Sequence, residues 1–233
     1  MVREFAGLLN RYRGASLHIP LNMLAAVALF LGMTLPQGSL FLIAYMVLIL
    51  FLLIRELYLK HTDPITNWAY TFLCQLYIAA PFGLLSKVAL HQGEYAPLLP
   101  FAVFALLWLN DTGAYCVGSL LGKHRLFERI SPRKSWEGSV GGALFALVTA
   151  AGFSWYSDLL PLRQWLGMAL VIVVFGTWGD LAESLFKRQL GIKDSGNFLP
   201  GHGGILDRFD SSLLAIPAVW IYLMAGEYIR NGF

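Results

Sequence analysis

The amino-acid sequence predicts an all-α, polytopic membrane protein of about seven transmembrane helices, within a range of six to nine, forming a single integral membrane domain over residues 1–233. Hydrophobic residues make up 57% of the chain and charged residues only 13%, against ~45–50% and ~25% in soluble domains. The apolar residues are also gathered into long runs instead of being spread evenly. These observations exclude a soluble globular enzyme and a disordered chain.

Residues 1–16 precede the apolar runs, and their pattern predicts a helix that lies in the membrane interface. Val2, Phe5, Leu9 and Tyr12 recur at helical spacing, with charged residues elsewhere on the helical wheel. Such an amphipathic segment suits the surface of the cytoplasmic leaflet. An ordinary cytoplasmic terminus explains the pattern equally well.

Seven apolar segments follow. Each is continuously apolar instead of alternating, which favours helices over a β-barrel, because lipid offers the backbone no other hydrogen-bond partner. The second, sixth and seventh are shorter than the ~20 residues that cross a bilayer as a helix, so we expect them to include flanking residues. The predicted spans are residues 17–33, 40–54, 65–85, 96–115, 138–156, 165–179 and 211–225.

The distribution of Lys and Arg predicts a cytoplasmic N-terminus, because positively charged short loops are retained on that side of a membrane. With seven spans, fourteen of the 17 Lys and Arg residues fall on the inside. The three exceptions are Lys87, Arg163 and Arg230. We therefore expect a multi-pass protein of the cell membrane whose N-terminus and active site face the cytoplasm.

Two cytoplasm-facing segments, residues 110–138 and 180–210, are too polar to be simple connectors, and we expect the catalytic chemistry there. They contain acids as well as bases, whereas a loop that only fixed the topology would need positive charge alone. Mg²⁺ binds one or two carboxylates together with water and phosphate, and Lys and Arg suit the remaining phosphate oxygens. The charges thus indicate a phosphate-handling metal site, with a solvated salt-bridge loop as the alternative.

The spacing within the second segment favours the metal site. If the sixth span continues as a helix, Asp180, Ser184 and Lys187 fall on one stripe at i, i+4 and i+7. A carboxylate, a hydroxyl and an ammonium group would then face the same way.

The end of the same segment combines glycines with acids. The run GHGG at residues 201–204 allows the backbone to approach a ligand closely. Asp207 and Asp210 follow at i and i+3, just before the last span. Because a glycine-rich loop joins the two helix termini, we expect Asp180 to lie near Asp207.

Asn110 and Asp111 lie in the fourth predicted span, near its cytoplasmic end. An ionisable residue in a span indicates a functional site, because exposing its charge to lipid would cost roughly 2.5 kcal/mol or more. The alternative is that Asp111 simply reaches the interface.

The segment SLFKRQLGIKDSGNFLPGHGGILDRFD, residues 184–210, resembles the signature of the phosphatidate cytidylyltransferases, also called CDP-diacylglycerol synthases. The family pattern has S-x-x-K-R near its start, K-D in the middle and H-G-G-x-x-D-R-x-D at its end, with the spacing found here. The segments NDTGAYCVGSLLGKH (110–124) and ISPRKSWEG (130–138) also resemble recurrent blocks of the family, although Ser135 stands where threonine is expected. The matching residues of the long segment are Ser184, Lys187, Arg188, Lys193, Asp194, His202, Gly203, Gly204, Asp207, Arg208 and Asp210.

The resemblance implies transfer of a cytidylyl group from CTP to phosphatidic acid, giving CDP-diacylglycerol and pyrophosphate for phospholipid synthesis. Such a reaction needs no protein nucleophile, because alignment and charge neutralisation suffice. The implied partners are CTP, phosphatidic acid, the lipid bilayer and a second copy in a homodimer. The implied cofactor is Mg²⁺ or Mn²⁺, with a monovalent cation as a further candidate. We expect no nucleic-acid partner.

On this resemblance Asp180 and Asp207 are the main metal carboxylates, with Asp210 and Asp111 as weaker candidates. His202 would contact a phosphate, protonate the departing pyrophosphate or fix the glycine loop. The residues assigned to catalysis are Asp180, Lys187, Arg188, Lys193, His202, Asp207 and Arg208, whose four Lys and Arg side chains would hold the phosphates. The residues assigned to substrate binding are Asn110, Asp111, Ser131, Lys134, Ser135, Ser184, Asp194, Gly203 and Gly204.

Two other functions fit parts of the pattern. A CTP-dependent polyprenol or phytol kinase would transfer the terminal phosphate of CTP, so pyrophosphate release separates the two enzymes. A membrane transporter would also place charges in an apolar chain. However, transporters gather their charged sites near the midplane of the bilayer, whereas most of these charges lie at one predicted rim.

Overall fold

The computed structural model of the protein describes residues 1–91, 93–196 and 203–231. Over these residues the chain forms nine α-helices, one π-helical segment and two short antiparallel hairpins. The helices are α1 (Val2–Arg13), α2 (Ile19–Thr34), α3 (Ser39–Tyr58), α4 (Pro64–Leu73), α5 (Ala80–Ala89), α6 (Leu98–Leu121), α7 (Trp136–Tyr156), α8 (Leu162–Gln189) and α9 (Leu206–Asn231). The π-helical segment Cys74–Ala79 joins α4 to α5, and the hairpins pair β1 (Leu90–His91) with β2 (Glu94–Tyr95) and β3 (Arg125–Phe127) with β4 (Ser131–Ser135).

Six helices in the described part of the chain are long and apolar enough to cross a membrane. They are α3, α6, α7, α8, α9 and the continuous helix Pro64–Ala89. Together with α2 they coincide with the seven predicted spans, so the prediction of a polytopic all-α membrane protein is confirmed. α2 has 16 residues, and a helix of that size is ~24 Å long, shorter than the ~30 Å hydrocarbon core of a bilayer.

Three helices continue well into the polar segments, beyond the predicted spans. α6 extends to Leu121, α8 extends to Gln189, and α9 already begins at Leu206. The sixth and seventh predicted spans stopped at Asp180 and Asp210, but a helix needs only satisfied backbone groups to continue past the apolar region. Asp180 and Ser184 therefore lie within α8, as the predicted stripe requires.

The chain divides into two compact units, which we call unit one (Met1–Lys87 and Phe186–Phe209) and unit two (Val88–Leu185 and Asp210–Phe233). Part of the core of unit one is formed by α2 and α3, where Ala25, Ile49 and Leu52 are buried together.

Helix α1 is packed into unit one along part of its apolar face. Phe5, Ala6 and Leu9 are buried, whereas Tyr12 is exposed. The helix ends at Gly14, whose φ of 65° is the left-handed conformation common at helix C-termini. A helix is therefore present where one was expected, and its location in the membrane interface stays a prediction.

In unit two, α6 and α7 pack closely through small residues. A Cβ atom at Gly138 would lie 2.8 Å from the carbonyl oxygen of Ala114, which is closer than real side chains approach. Glu137, in the first turn of α7, accepts hydrogen bonds from the backbone N–H groups of Lys123 and His124 at 3.1 and 3.2 Å. These bonds tie the β3–β4 hairpin to α7 and so set the position of β4.

Candidate functional site

Five candidate residues of unit two, Asn110, Asp111, Lys134, Ser135 and Asp180, line a cavity of about 230 Å³. α6, β4, the start of α7 and the second half of α8 all contribute side chains to its wall. The charged residues that line it are Asp111, Arg133, Lys134 and Asp180. The cavity therefore combines two carboxylates with two cations, as a site for a phosphorylated ligand and a cation requires.

Lys134 and Asp180 form an ion pair across this cavity. Their side chains are 26% and 27% exposed, so both remain accessible to solvent or to a ligand. The Ser184 hydroxyl donates a hydrogen bond to Asp180 Oδ1 at 3.3 Å, one helical turn along α8. The fold thus brings together Lys134, which the sequence assigned to substrate binding, and Asp180, which it assigned to metal binding.

Asn110 and Asp111 enter the cavity from α6. Asn110 is 3% exposed, and its Nδ2 donates to Asp111 Oδ1 at 3.4 Å. Gly142 of α7 packs directly on Asn110, because a Cβ atom there would lie 2.7 Å from Asn110 Oδ1. The glycine permits the close contact between α6 and α7 that fixes the amide beside Asp111.

Ser135 has a structural role that the sequence did not assign. It is the N-cap of α7, and its Oγ accepts a hydrogen bond from the Gly138 N–H at 3.1 Å. It is buried at 3% exposure and still lines the cavity. Ser131, at the start of β4, is not among the described residues that line it.

The sequence missed several residues of this cavity. Arg133 was used only as one of the Lys and Arg residues that predict the orientation in the membrane. Tyr115, Ser139 and Thr177 were not assigned to the site. Arg133 had a usable signal, because it precedes Lys134 in a block that the resemblance covers. Tyr115 had the same signal, because it lies in the block 110–124, whereas Ser139 and Thr177 lie outside the matching blocks and carried none.

Asp210 belongs to the part of unit two where α8 and α9 approach each other. A Cβ atom at Gly179 would lie 2.7 Å from the Asp210 carbonyl oxygen, so the glycine allows the two backbones to meet beside Asp180. The Asp210 carboxylate accepts a hydrogen bond from the Ser211 N–H at 2.6 Å.

Unit one contains the second group of candidate residues, centred on Asp207 at the start of α9. Asp207 Oδ2 accepts hydrogen bonds from the Ser195 N–H and hydroxyl, both at 2.9 Å, and from the Gly204 N–H at 2.8 Å. Lys187 Nζ donates to Asp207 Oδ1 at 2.8 Å. The Lys187 and Asp207 side chains are only 15% and 12% exposed. The carboxylate therefore holds three parts of the polar segment together.

Lys187 is positioned by the way in which α8 ends. Gly191 has a φ of 69°, and the Ile192 N–H donates to the Lys187 carbonyl at 3.0 Å while the Gly191 N–H donates to the Arg188 carbonyl at 3.1 Å. This is the Schellman motif, which satisfies the last carbonyl groups of a helix. It turns the chain so that Ser195 can reach Asp207.

Two glycines permit the contact with Asp207. Gly203 has a φ of 81°, and a Cβ atom there would lie 2.9 Å from Asp207 Oδ2. A Cβ atom at Gly204 would collide with the Ser195 hydroxyl. Gly203 and Gly204 therefore pack closely on the acid that follows them.

The remaining predicted residues of this segment lie at its surface. Arg188, Lys193, Asp194 and Arg208 are exposed. His202 lies outside the described residues, so its assignment stays a prediction. Ser195, which the sequence missed, lies in irregular structure where no helical spacing relates it to Asp207. Asp180 belongs to unit two and Asp207 to unit one, and their proximity also stays a prediction.

The residues of unit two fit a divalent cation. Within the described ranges, no group of three or more His, Cys, Asp or Glu side chains could hold a metal ion on its own. Mg²⁺ does not require one, since it is usually bound by one or two carboxylates, water and substrate phosphate. Asp111 and Asp180 line one cavity and supply these carboxylates. The Asp207 carboxylate is instead already bound to Lys187 and to three further donors.

Comparison with known proteins gives a match to the cytidylyltransferase family model over residues 1–225. The chain is 47% identical over 123 residues to the phosphatidate cytidylyltransferase of Staphylococcus aureus strain COL, covering 52% of this chain and 47% of that protein. It is 40% identical over 176 residues to the phosphatidate cytidylyltransferase of Bacillus subtilis strain 168, covering 75% of this chain and 65% of that protein. The matched region thus spans from about half to about two thirds of the length of these curated relatives.

Proposed function

The chain belongs to the cytidylyltransferase family, and from that premise we propose that it transfers a cytidylyl group from CTP to phosphatidic acid. The products are CDP-diacylglycerol and pyrophosphate. The observation that carries the proposal is the cavity of unit two, where Asp111 and Asp180 meet Arg133 and Lys134. Two carboxylates and two cations on one cavity suit a reaction between two phosphate-bearing substrates.

The chemistry requires the protein to bring two anions together. A phosphate oxygen of phosphatidic acid forms a bond to the α-phosphorus of CTP, and the bond from that phosphorus to the oxygen leading to the β-phosphate breaks. Pyrophosphate leaves with that oxygen. The protein contributes alignment and neutralisation of charge, and these effects supply much of the rate acceleration in reactions of this kind.

In unit two, Lys134 and Arg133 bind phosphate oxygens of CTP. Arg133 offers a planar fork of donors that suits two phosphate oxygens at once, while Lys134 acts as a point charge. The Lys134–Asp180 ion pair keeps the ammonium group directed across the cavity before substrate arrives. Asn110 supplies amide donors and an acceptor beside Asp111.

Asp180 and Asp111 would hold Mg²⁺ or Mn²⁺ in this cavity. When bound, the ion neutralises phosphate charge and favours departure of pyrophosphate. The family resemblance also assigns Asp207 and Asp210 to metal binding.

The polar segment of unit one carries four further cations that suit phosphate groups. Lys187 is held by Asp207, and Arg188, Lys193 and Arg208 are exposed on the same polar segment. Several cations around two phosphorylated substrates lower the repulsion between them. Long Lys and Arg side chains also reach the level of a lipid headgroup from a helix end.

The protein is a multi-pass membrane protein, and we propose that its N-terminus and active site face the cytoplasm, where CTP is available. The excess of Lys and Arg in the predicted inner segments supports this orientation. A homodimer is proposed on the family resemblance alone.

The test is a turnover assay with purified protein in lipid vesicles, α-labelled CTP and phosphatidic acid, with and without Mg²⁺. We expect metal-dependent formation of CDP-diacylglycerol and pyrophosphate in equal amounts. Asp180→Asn and Asp207→Asn should each lower kcat at least about 100-fold, because each removes a charge from the site. Asp158→Asn, at an exposed acid outside the candidate site, is the matched control and should retain full activity.

The products distinguish the alternatives. Formation of CDP with a phosphorylated lipid alcohol would establish the kinase instead. Uptake of a solute without conversion of CTP would establish a transporter. Full activity of Asp180→Asn would refute its role even if the reaction itself were observed.

A further inference from the structure

Helix α1 contacts both of the segments that carry the Lys187–Asp207 ion pair. All of these residues belong to unit one. The sequence had indicated only a surface helix or an ordinary terminus for this region. Two consecutive α1 residues, Glu4 and Phe5, make the contacts.

Glu4 caps the N-terminus of α9. The Ile205 N–H donates to Glu4 Oε1 at 3.1 Å, and the Leu206 N–H donates to Glu4 Oε2 at 2.9 Å. The first N–H groups of a helix have no partner within the helix, and together they form its positive end. The Glu4 carboxylate satisfies two such groups immediately before Asp207.

Glu4 also lies close to Gly196 and Gly204. A Cβ atom at Gly204 would lie 3.2 Å from Glu4 Oε1, and one at Gly196 would lie 3.1 Å from the same oxygen. The N–H of Gly204 meanwhile donates to Asp207 at 2.8 Å. Gly204 therefore lies close to both carboxylates.

Phe5 packs on the residue next to Lys187, the other member of the ion pair. Its ring stacks on Phe186, with centroids 4.8 Å apart and an interplanar angle of 27°. Phe186 immediately precedes Lys187 in α8. Phe5 is 1% exposed, so its ring is fully used in packing. Offset stacking of this kind adds to the free energy gained from burial.

We propose that Glu4 and Phe5 are positioning residues that hold Lys187 and Asp207 in the geometry needed for turnover. Phe5 fixes the end of α8 and Glu4 fixes the start of α9. One helix therefore determines the positions of both Lys187 and Asp207. This inference rests on the proposed cytidylyl transfer. It gives Glu4 and Phe5 of α1 a positioning role that the sequence did not indicate.

The test compares Glu4→Gln with the wild-type chain in lipid vesicles. Glutamine has the same shape but only one acceptor oxygen, so one of the two N–H groups of α9 loses its partner. We expect kcat to fall on the order of tenfold, as for loss of a hydrogen bond to a charged group, while KM for CTP stays within about twofold. Hydrogen–deuterium exchange, measured without substrate, should become faster in peptides that contain Ile205 and Leu206.

Two controls separate positioning from general destabilisation. Glu94→Gln makes the same change at an exposed hairpin residue and should alter neither kcat nor exchange. Leu9→Ala removes a buried α1 side chain that is 2% exposed. It should lower the unfolding temperature but leave kcat per folded molecule within about twofold.

The outcomes are distinguishable. Unchanged exchange in Glu4→Gln, or faster exchange with a wild-type kcat, would overturn the inference. An equal loss of kcat in Leu9→Ala would also overturn it, because any weakening of α1 would then suffice. If the wild-type chain does not convert CTP and phosphatidic acid, the proposed function fails and the inference falls with it. If the wild type is active and Glu4→Gln equals it, only the inference fails.

Discussion

The Asp207 carboxylate accepts hydrogen bonds from two backbone N–H groups, one hydroxyl and one ammonium group. A carboxylate with this many donors is strongly fixed in position. It also gathers residues from three places in the polar segment, namely the end of α8, the Ser195 region and the glycine run. A single residue thus joins Lys187, Ser195 and Gly204.

Replacing Gly203 by alanine adds one methyl group beside Asp207 and so tests whether the position of this carboxylate matters for activity. We predict that Gly203→Ala lowers kcat at least about tenfold, because its Cβ would press on Asp207 Oδ2, 2.9 Å away, and displace a carboxylate that must be held in place. Turnover of CTP and phosphatidic acid by the purified variant measures the effect.

Gly93 is the matched control, since its φ of 82° nearly equals the 81° of Gly203 and nothing lies within 4 Å of a Cβ there. Both substitutions cost about 1 kcal/mol of backbone strain, but Gly93→Ala should keep its activity. Equal activity of the two variants would contradict the role given to the Asp207 contact.

Helix ends determine where the candidate side chains lie. Ser135 caps α7, the Schellman motif ends α8, and Glu4 caps α9. Each of these ends lies next to a candidate residue: Lys134, Lys187 and Asp207 respectively. At this scale the candidate site consists largely of helix termini whose free backbone groups are satisfied by side chains or by the turn itself.

The cap of α7 gives a prediction about stability. We expect Ser135→Ala to lower the free energy of unfolding by about 1 kcal/mol, because the Gly138 N–H loses its acceptor. Ser135→Thr keeps a hydroxyl and should cost less. Thermal unfolding in detergent, followed by circular dichroism, measures both changes.

Ser119→Ala is the control for this prediction. The Ser119 hydroxyl donates only to a carbonyl of its own helix, that of Cys116, and the residue is exposed. We expect a change within about 0.5 kcal/mol. A Ser135→Ala variant as stable as Ser119→Ala would show that the cap contributes little.

The orientation of the whole molecule can be tested by cysteine labelling. In a chain with both native cysteines, Cys74 and Cys116, replaced by alanine, we predict that Asp158→Cys reacts with a membrane-impermeant maleimide in intact cells. Arg129→Cys should react only after the membrane is opened. The reason is the concentration of Lys and Arg on the side that holds Arg129.

Both positions are exposed in the structure, so the difference in labelling reports the side of the membrane and not burial. The reverse pattern would place the candidate site outside the cell and contradict the orientation. Labelling of both positions in intact cells would show that the tested segments do not lie on opposite sides.

The fold class and the positions of the spans were predictable from the sequence, because partition into a bilayer depends on the summed hydropathy of a local run of residues. The same holds for Asp180 and Ser184, whose spacing along one helix fixes their relation before any tertiary contact forms. α8 and α9 include flanking residues, as expected for the sixth and seventh spans, and α6 also extends beyond its predicted span, since backbone hydrogen bonding continues beyond the apolar region.

Only the tertiary structure decided which residues from different segments meet. Lys134 reaches Asp180 across the cavity of unit two, and Glu4 caps a helix that begins about 200 positions later in the chain. Ser195 reaches Asp207 from a segment without regular spacing. Periodicity relates residues within one element, whereas these contacts depend on how separate elements pack. The sequence therefore determined the membrane-protein class and the chemical types at the site, and packing determined which of them became partners.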